Sequence, residues 1–151
     1  MTLSKMFNKV SLSVLFMFIL ISTSLMAQFP EGFESGAIPA AWTVYNVDGD
    51  TKQFTATDAG ANAYEGTWVA AVGWNASGND DWLVSPQINV TNTQKVVKFY
   101  ARSTSSYYLE DFNIKLSETG NAVADFTVTL GSYTQIPNAG NEYIVDLSSY
   151  V

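Results

Sequence analysis

The side chains of this sequence best suited to chemistry are carboxylates. They fall in three close pairs: Asp48-Gly49-Asp50, Asp80-Asp81 and Glu110-Asp111. Two carboxylates two residues apart, with glycine permitting a tight turn between them, suit a loop around a hard cation such as calcium. That ion takes about six to eight oxygen ligands. The same acids also suit solvated turns, and spacing alone leaves both readings open. An EF-hand is excluded, because Lys52 falls at the fifth loop position and Gln53 where a glycine is required. Adjacent carboxylates repel unless a cation, a hydrogen bond or a turn stabilises them. Asp80 reads as a cap on the Gly78-Asn79 turn, Asp81 as the start of a strand, and Glu110-Asp111 as solvated loop acids.

Other chemistries find no residues. Glycoside hydrolysis needs two acids facing each other across about 5–10 Å, and no pair here is nominated for that. With no His and no Cys, there is no Ser-His-Asp triad, no thiol nucleophile, no His- or Cys-ligated zinc and no disulfide. A net charge of −7 argues against nucleic acid as a partner. The expectation is a non-catalytic binding protein. Aromatic side chains are its other resource. Trp42 and Trp82 sit in strand phrases and read as core. Trp74, between Gly73 and Asn75, and Tyr107-Tyr108, after four Ser/Thr residues, fall in polar loops. Exposed rings among Ser and Asn make adaptable contacts for protein or sugar, or they cover the ends of the fold.

The elements that position these residues read as β-strands. Phe112, Ile114 and Leu116 alternate with polar neighbours, as do Phe126, Val128 and Leu130, and Tyr143, Val145 and Leu147. Lys95–Arg102 forms a further strand with Val97, Phe99 and Ala101 on one face. Trp42–Tyr45, Trp68–Val72 and Trp82–Val84 are shorter candidates. Gly/Asn/Asp clusters punctuate the runs, and no stretch after Gln28 carries a helical stripe. Short strands with regular turn signals predict a β-sandwich. A jelly roll is preferred over an immunoglobulin-like sandwich, whose Cys-Trp-Cys core is missing.

Residues 1–27 have the layout of a secretory signal peptide. Lys5 and Lys9 precede an apolar run to Met26, and Ala27 is the small residue at the cleavage point. The unbroken apolar stretch, Val14–Ile21, is short for a span of about 20 residues. The expected product is an exported single domain, Gln28–Val151, secreted or held at the cell surface and not inserted in the membrane.

Three phrases in order resemble the cleaved-adhesin domain, a module of the haemagglutinin/adhesin regions of gingipain-type bacterial proteases. They are Glu31-Gly32-Phe33-Glu34-Ser35-Gly36 followed by Ile38-Pro39-Ala40-Ala41-Trp42-Thr43; Val47-Asp48-Gly49-Asp50; and Gly73-Trp74-Asn75 followed by Asn79-Asp80-Asp81-Trp82-Leu83-Val84-Ser85-Pro86. Phe99-Tyr100-Ala101 and Ile114–Gly120 fit the next two strands, so the likeness covers most of Phe29–Leu147. The resemblance implies a jelly-roll sandwich related in shape to MAM and carbohydrate-binding modules. It also implies calcium held by Glu34, Asp48 and Asp50, and adhesion to host or matrix protein or to glycan. Trp74, Tyr107 and Tyr108 are the candidate ligand contacts. Family members continue past the strand matching Tyr143–Leu147, ending on a strand with an acidic pair. The resemblance therefore implies missing last strands, hence a fragment of a larger secreted protein in which this domain is accessory, or else a degenerate member.

Overall fold

Eight strands in the computed structural model, which describes Glu31–Val151, form four antiparallel ladders arranged as two nested units. The signal-peptide reading of residues 1–27 lies outside the described residues. In the first unit, β1 (Thr43–Asn46) pairs with β4 (Asp81–Val84) and brackets the hairpin of β2 (Thr55–Asp58) and β3 (Trp68–Ala71). In the second, β5 (Val96–Ala101) pairs with β8 (Asn141–Asp146) and brackets the hairpin of β6 (Glu110–Leu116) and β7 (Val128–Ile136). The only helical pieces among the described residues are single 3-10 turns, at Gly60–Asn62, Val123–Asp125 and Ser148–Tyr150. The described residues form an all-β sandwich, as the period-2 alternation predicts.

The strands follow from that alternation. On β5, Val97, Phe99 and Ala101 turn inward while Val96, Lys98 and Tyr100 face solvent. The inward rings of the second unit interlock. Phe99 stacks on Tyr143 at 5.3 Å, Phe112 meets Tyr143 edge-on at 5.3 Å, and Tyr133 meets Tyr143 edge-on at 4.8 Å. Such stacked and edge-to-face contacts add to what ring burial alone contributes. Trp82 on β4 reaches Phe126 at 5.7 Å, and Tyr45 Oη donates to Asn121 O at 3.0 Å, so the two units are tied through the β6–β7 connection.

The buried apolar side chains among the described residues are Val84, Ile136, Val145 and Leu147. Other inward residues are half-buried. Val97, Ile114, Leu116 and Leu130 line an open groove of about 790 Å³, which Val84 and Val145 also border. Trp42 and Trp82, expected in the core, are likewise half-buried, with Trp42 edge-on to Phe33 at 5.5 Å.

Two departures from the sequence reading are local. β7 begins at Val128, because Val123–Asp125 closes a 3-10 turn in which Asp125 Oδ2 accepts the Ala122 amide. It runs on to Ile136 through an irregular end where Gln135 takes φ +54°. There Asp111 Oδ1 accepts the Gln135 amide at 2.7 Å, opposite a register shift in β6. Asp111, read as a solvated acid, is therefore part of a β-bulge.

Candidate metal centre

The connection leaving β1 is knotted by its last residue. Asn46 Nδ2 donates to the carbonyls of Asp50 and Lys52, both at 2.8 Å, and Asn46 Oδ1 accepts the Gly49 amide at 2.7 Å. Gly49 takes φ +69°, which glycine adopts at little cost and which bends Asp48 and Asp50 to the same side. Asp48 Oδ1 accepts the Asp50 amide, and Asp50 Oδ1 accepts the Lys52 amide. These are the side-chain-to-backbone turns that Asp makes readily.

The β3–β4 connection comes up beside it. Asp48 Oδ2 accepts the Asp80 amide at 3.2 Å, the Val47 amide donates to Asp80 O at 2.9 Å, and Asn75 Nδ2 donates to Asp50 Oδ2. Cross-strand pairing of Asn46 with Asp81 then sets the Asp81 side chain next to the loop. Asp48, Asp50 and Asp81 each offer a carboxylate oxygen, and these oxygens lie within 4.8 Å of one another.

Asp81 is the informative member. Both its carboxylate oxygens are shielded from solvent and have no hydrogen-bond partner among the described residues. Desolvation, followed by the charges of Asp48, Asp50 and Asp80, pushes its pKa above the ordinary carboxylate value. No lysine or arginine among the described residues pairs with the cluster; Lys98–Glu142, at 3.7 Å, is the ion pair present. Unpaired like charges at such separations cost about 1–4 kcal/mol per pair, depending on local dielectric. A hard cation would offset that repulsion and satisfy the two orphaned oxygens. Three carboxylates, with loop carbonyls and water completing the shell, match the donor set of calcium.

Glu34, expected alongside Asp48 and Asp50, is elsewhere. Its Oε1 accepts the amides of Thr67 at 3.0 Å and Trp68 at 2.9 Å, which fastens the N-terminal segment to the start of β3. Gly66, at φ +71°, lies so close beneath that carboxylate that a side chain there would collide with it. That position is at the β2–β3 turn, across the hairpin from the Asp48 loop. Sequence reasoning missed Asp81, whose membership depends on β1 pairing with β4 far along the chain. Trp74 is 67% exposed and stands one residue from Asn75, the Asp50 donor. Tyr107 and Tyr108 are also exposed, but in the β5–β6 loop. Arg102 and Ser103 tie that loop to Asn62 and Pro137, so it belongs to the β2–β3 turn end and not to the metal end.

A family model described as the Cleaved Adhesin Domain matches residues 26–147. The chain belongs to the cleaved adhesin family. Lys-gingipain of Porphyromonas gingivalis is 33% identical over 126 residues, which is 77% of this chain and 7% of that protein. Hemagglutinin A of Porphyromonas gingivalis is 29% identical over 147 residues, 80% of this chain and 6% of that protein. The chain thus spans less than a tenth of the length of these relatives. The K2 cleaved adhesin domain of Lys-gingipain superposes with a TM-score of 0.65 at 25% identity, covering 79% of this chain and 81% of that one. The K1 domain, from P. gingivalis W83, gives 0.61 at 26% identity, covering 78% and 79%. These likenesses fall on adhesin modules of proteins that also include proteases. Among the described residues, no helix is long and apolar enough to cross a membrane.

Proposed function

We propose that this cleaved adhesin domain is an exported, non-catalytic adhesion module whose ligand-contacting loops are fixed by calcium. Asp48, Asp50 and Asp81 would hold the ion. Its contribution is electrostatic: it neutralises three carboxylates and locks the β1–β2 and β3–β4 connections together. The single observation that carries this is the Asp81 carboxylate, shielded and unpartnered beside two other acids. Trp74 is presented on the connection that Asn75 binds to Asp50, so ordering the metal loops also orders this ring. An exposed Trp on a rigid loop is an effective anchor for a protein or glycan partner. Tyr107 and Tyr108 form a second contact surface at the other end.

Adhesion to a matrix-protein-coated surface in calcium buffer tests this. Trp74→Ala is expected to weaken binding about tenfold or more, the usual loss at an aromatic anchor, and EDTA to weaken the wild type similarly. Binding that ignores both changes would contradict the reading. The relatives are many times longer, and this favours a second reading, an accessory domain within a larger secreted protein. The mass of the mature product on an immunoblot separates the two.

A further inference from the structure

At the β2–β3 turn end, away from the acidic cluster, Tyr64 and Tyr100 stack with ring centroids 4.2 Å apart and planes 18° from parallel. Tyr100 is fixed from beneath. Its Oη donates to Ala139 O at 3.3 Å, and the backbone of Gly140 packs against its phenol end. Gly140 has φ +79°, and a Cβ there would run into the ring, so only glycine lets the β7–β8 turn pass so close. Tyr64 rests on this support with its other face open and is 69% exposed. Gly60, Ala61, Ala63 and Gly66, close to it along the chain, carry small side chains or none.

A polar pair flanks the two rings along the chain, with Asn62 two residues before Tyr64 and Arg102 two residues after Tyr100. Arg102 Nη1 donates to Asn62 O at 3.3 Å and Asn62 Oδ1 at 3.2 Å, which orients the Asn62 amide. The side-chain nitrogen Asn62 Nδ2 and Arg102 Nη2 are donors with no partner among the described residues, while the Asn62 backbone amide is used by Ala59 O. A rigid aromatic ring with one open face, next to oriented amide and guanidinium donors, matches a sugar. The apolar C–H face of a pyranose lies on the ring while its hydroxyls reach the donors. A protein partner would need an interface of about 1,000 Å² or more with a continuous apolar core. Exposed Glu65, next to Tyr64 in the chain, and exposed Glu142, opposite Tyr100 in the β5–β8 ladder, interrupt an apolar surface at this position.

We infer that Tyr64, backed by Tyr100 and flanked by Asn62 and Arg102, is a binding platform for a pyranose unit of a neutral glycan. The inference rests on the chain being a binding module, but not on calcium. The test is binding of the purified protein to an array of immobilised neutral oligosaccharides, in calcium and in EDTA, with folding followed by circular dichroism. At least one oligosaccharide should be retained in both buffers. Tyr64→Leu, which keeps apolarity without a flat face, should lower its affinity at least tenfold, and Tyr64→Trp should keep it. Gly140→Ala, which disturbs the support and touches no ligand atom, should weaken it several-fold. The proposal is overturned if no neutral glycan is retained, if Tyr64→Leu binds as the wild type does, or if folded protein loses glycan in EDTA, which would assign binding to the metal end. Capture of protein partners alone, sensitive to Tyr64, would also overturn it. A failed calcium reading is recognised separately, as a melting point indifferent to calcium with glycan binding intact.

Discussion

Three acids close together are common on surfaces, but a shielded carboxylate without a partner is not, and Asp81 distinguishes this cluster from solvated turns. Its raised pKa means that the metal-free fold binds the Asp81 proton more tightly than the unfolded chain does. The group therefore lowers stability as pH rises through its unfolded value of 3.8 and beyond. Asp81→Asn removes that charge and gives Asp48 and Asp50 an amide donor. In EDTA at neutral pH the variant should melt higher than wild type, by about 1 kcal/mol, or about 4 °C for a domain of this size. It should show no response to calcium. Glu34→Ala should behave oppositely. It strands the Thr67 and Trp68 amides and costs about 1–2 kcal/mol, equally in calcium and in EDTA. A Glu34→Ala deficit confined to calcium buffer would instead make Glu34 a ligand.

At the scale of elements, strand type was legible and strand company was not. Alternation in Phe112–Leu116 and Tyr143–Leu147 marks strands because one face of each is turned to the interior. β2, with only Ala56 half-buried among Thr55, Thr57 and Asp58, has too weak a pattern to announce itself. The pairing of β1 with β4 is long-range, and it brings Asp81 to Asp48, so the third ligand could not be read from local spacing. Glu34 was placed in the site by resemblance alone, and its carboxylate is used to hold backbone amides. The groove explains why inward positions such as Ile114 and Leu130 are only half-buried despite the right phase. Phe112→Ala removes the ring that touches Phe99, Tyr133 and Tyr143 and should cost about 3–4 kcal/mol in denaturant unfolding. At the end of β8, Ser148 donates both its hydroxyl and its amide to Asp146, and with a smaller contribution from Lys95 this holds the Asp146 pKa below the ordinary value. That stabilisation is present above pH 3.8 and is lost as pH falls through the depressed pKa. Ser148→Ala should therefore be less stable than wild type at neutral pH and converge with it in strong acid.

The whole molecule has two ends of different character. Loops at one end carry Asp48, Asp50, Asp81 and Trp74; loops at the other carry Tyr64, Tyr100, Tyr107 and Tyr108. Without disulfides, and with few buried apolar side chains among the described residues, the fold has little reserve against repulsion at the acidic end. Calcium is the means proposed here to offset it. An ion that binds only the folded state adds about 2.7 kcal/mol when its concentration is a hundred times its Kd. The most direct test is the thermal midpoint of the protein in calcium against EDTA, followed by circular dichroism. A rise of about 10 °C in calcium is predicted. A cooperative melt at the same temperature in both buffers would contradict the metal centre and leave Asp48, Asp50 and Asp81 as turn acids.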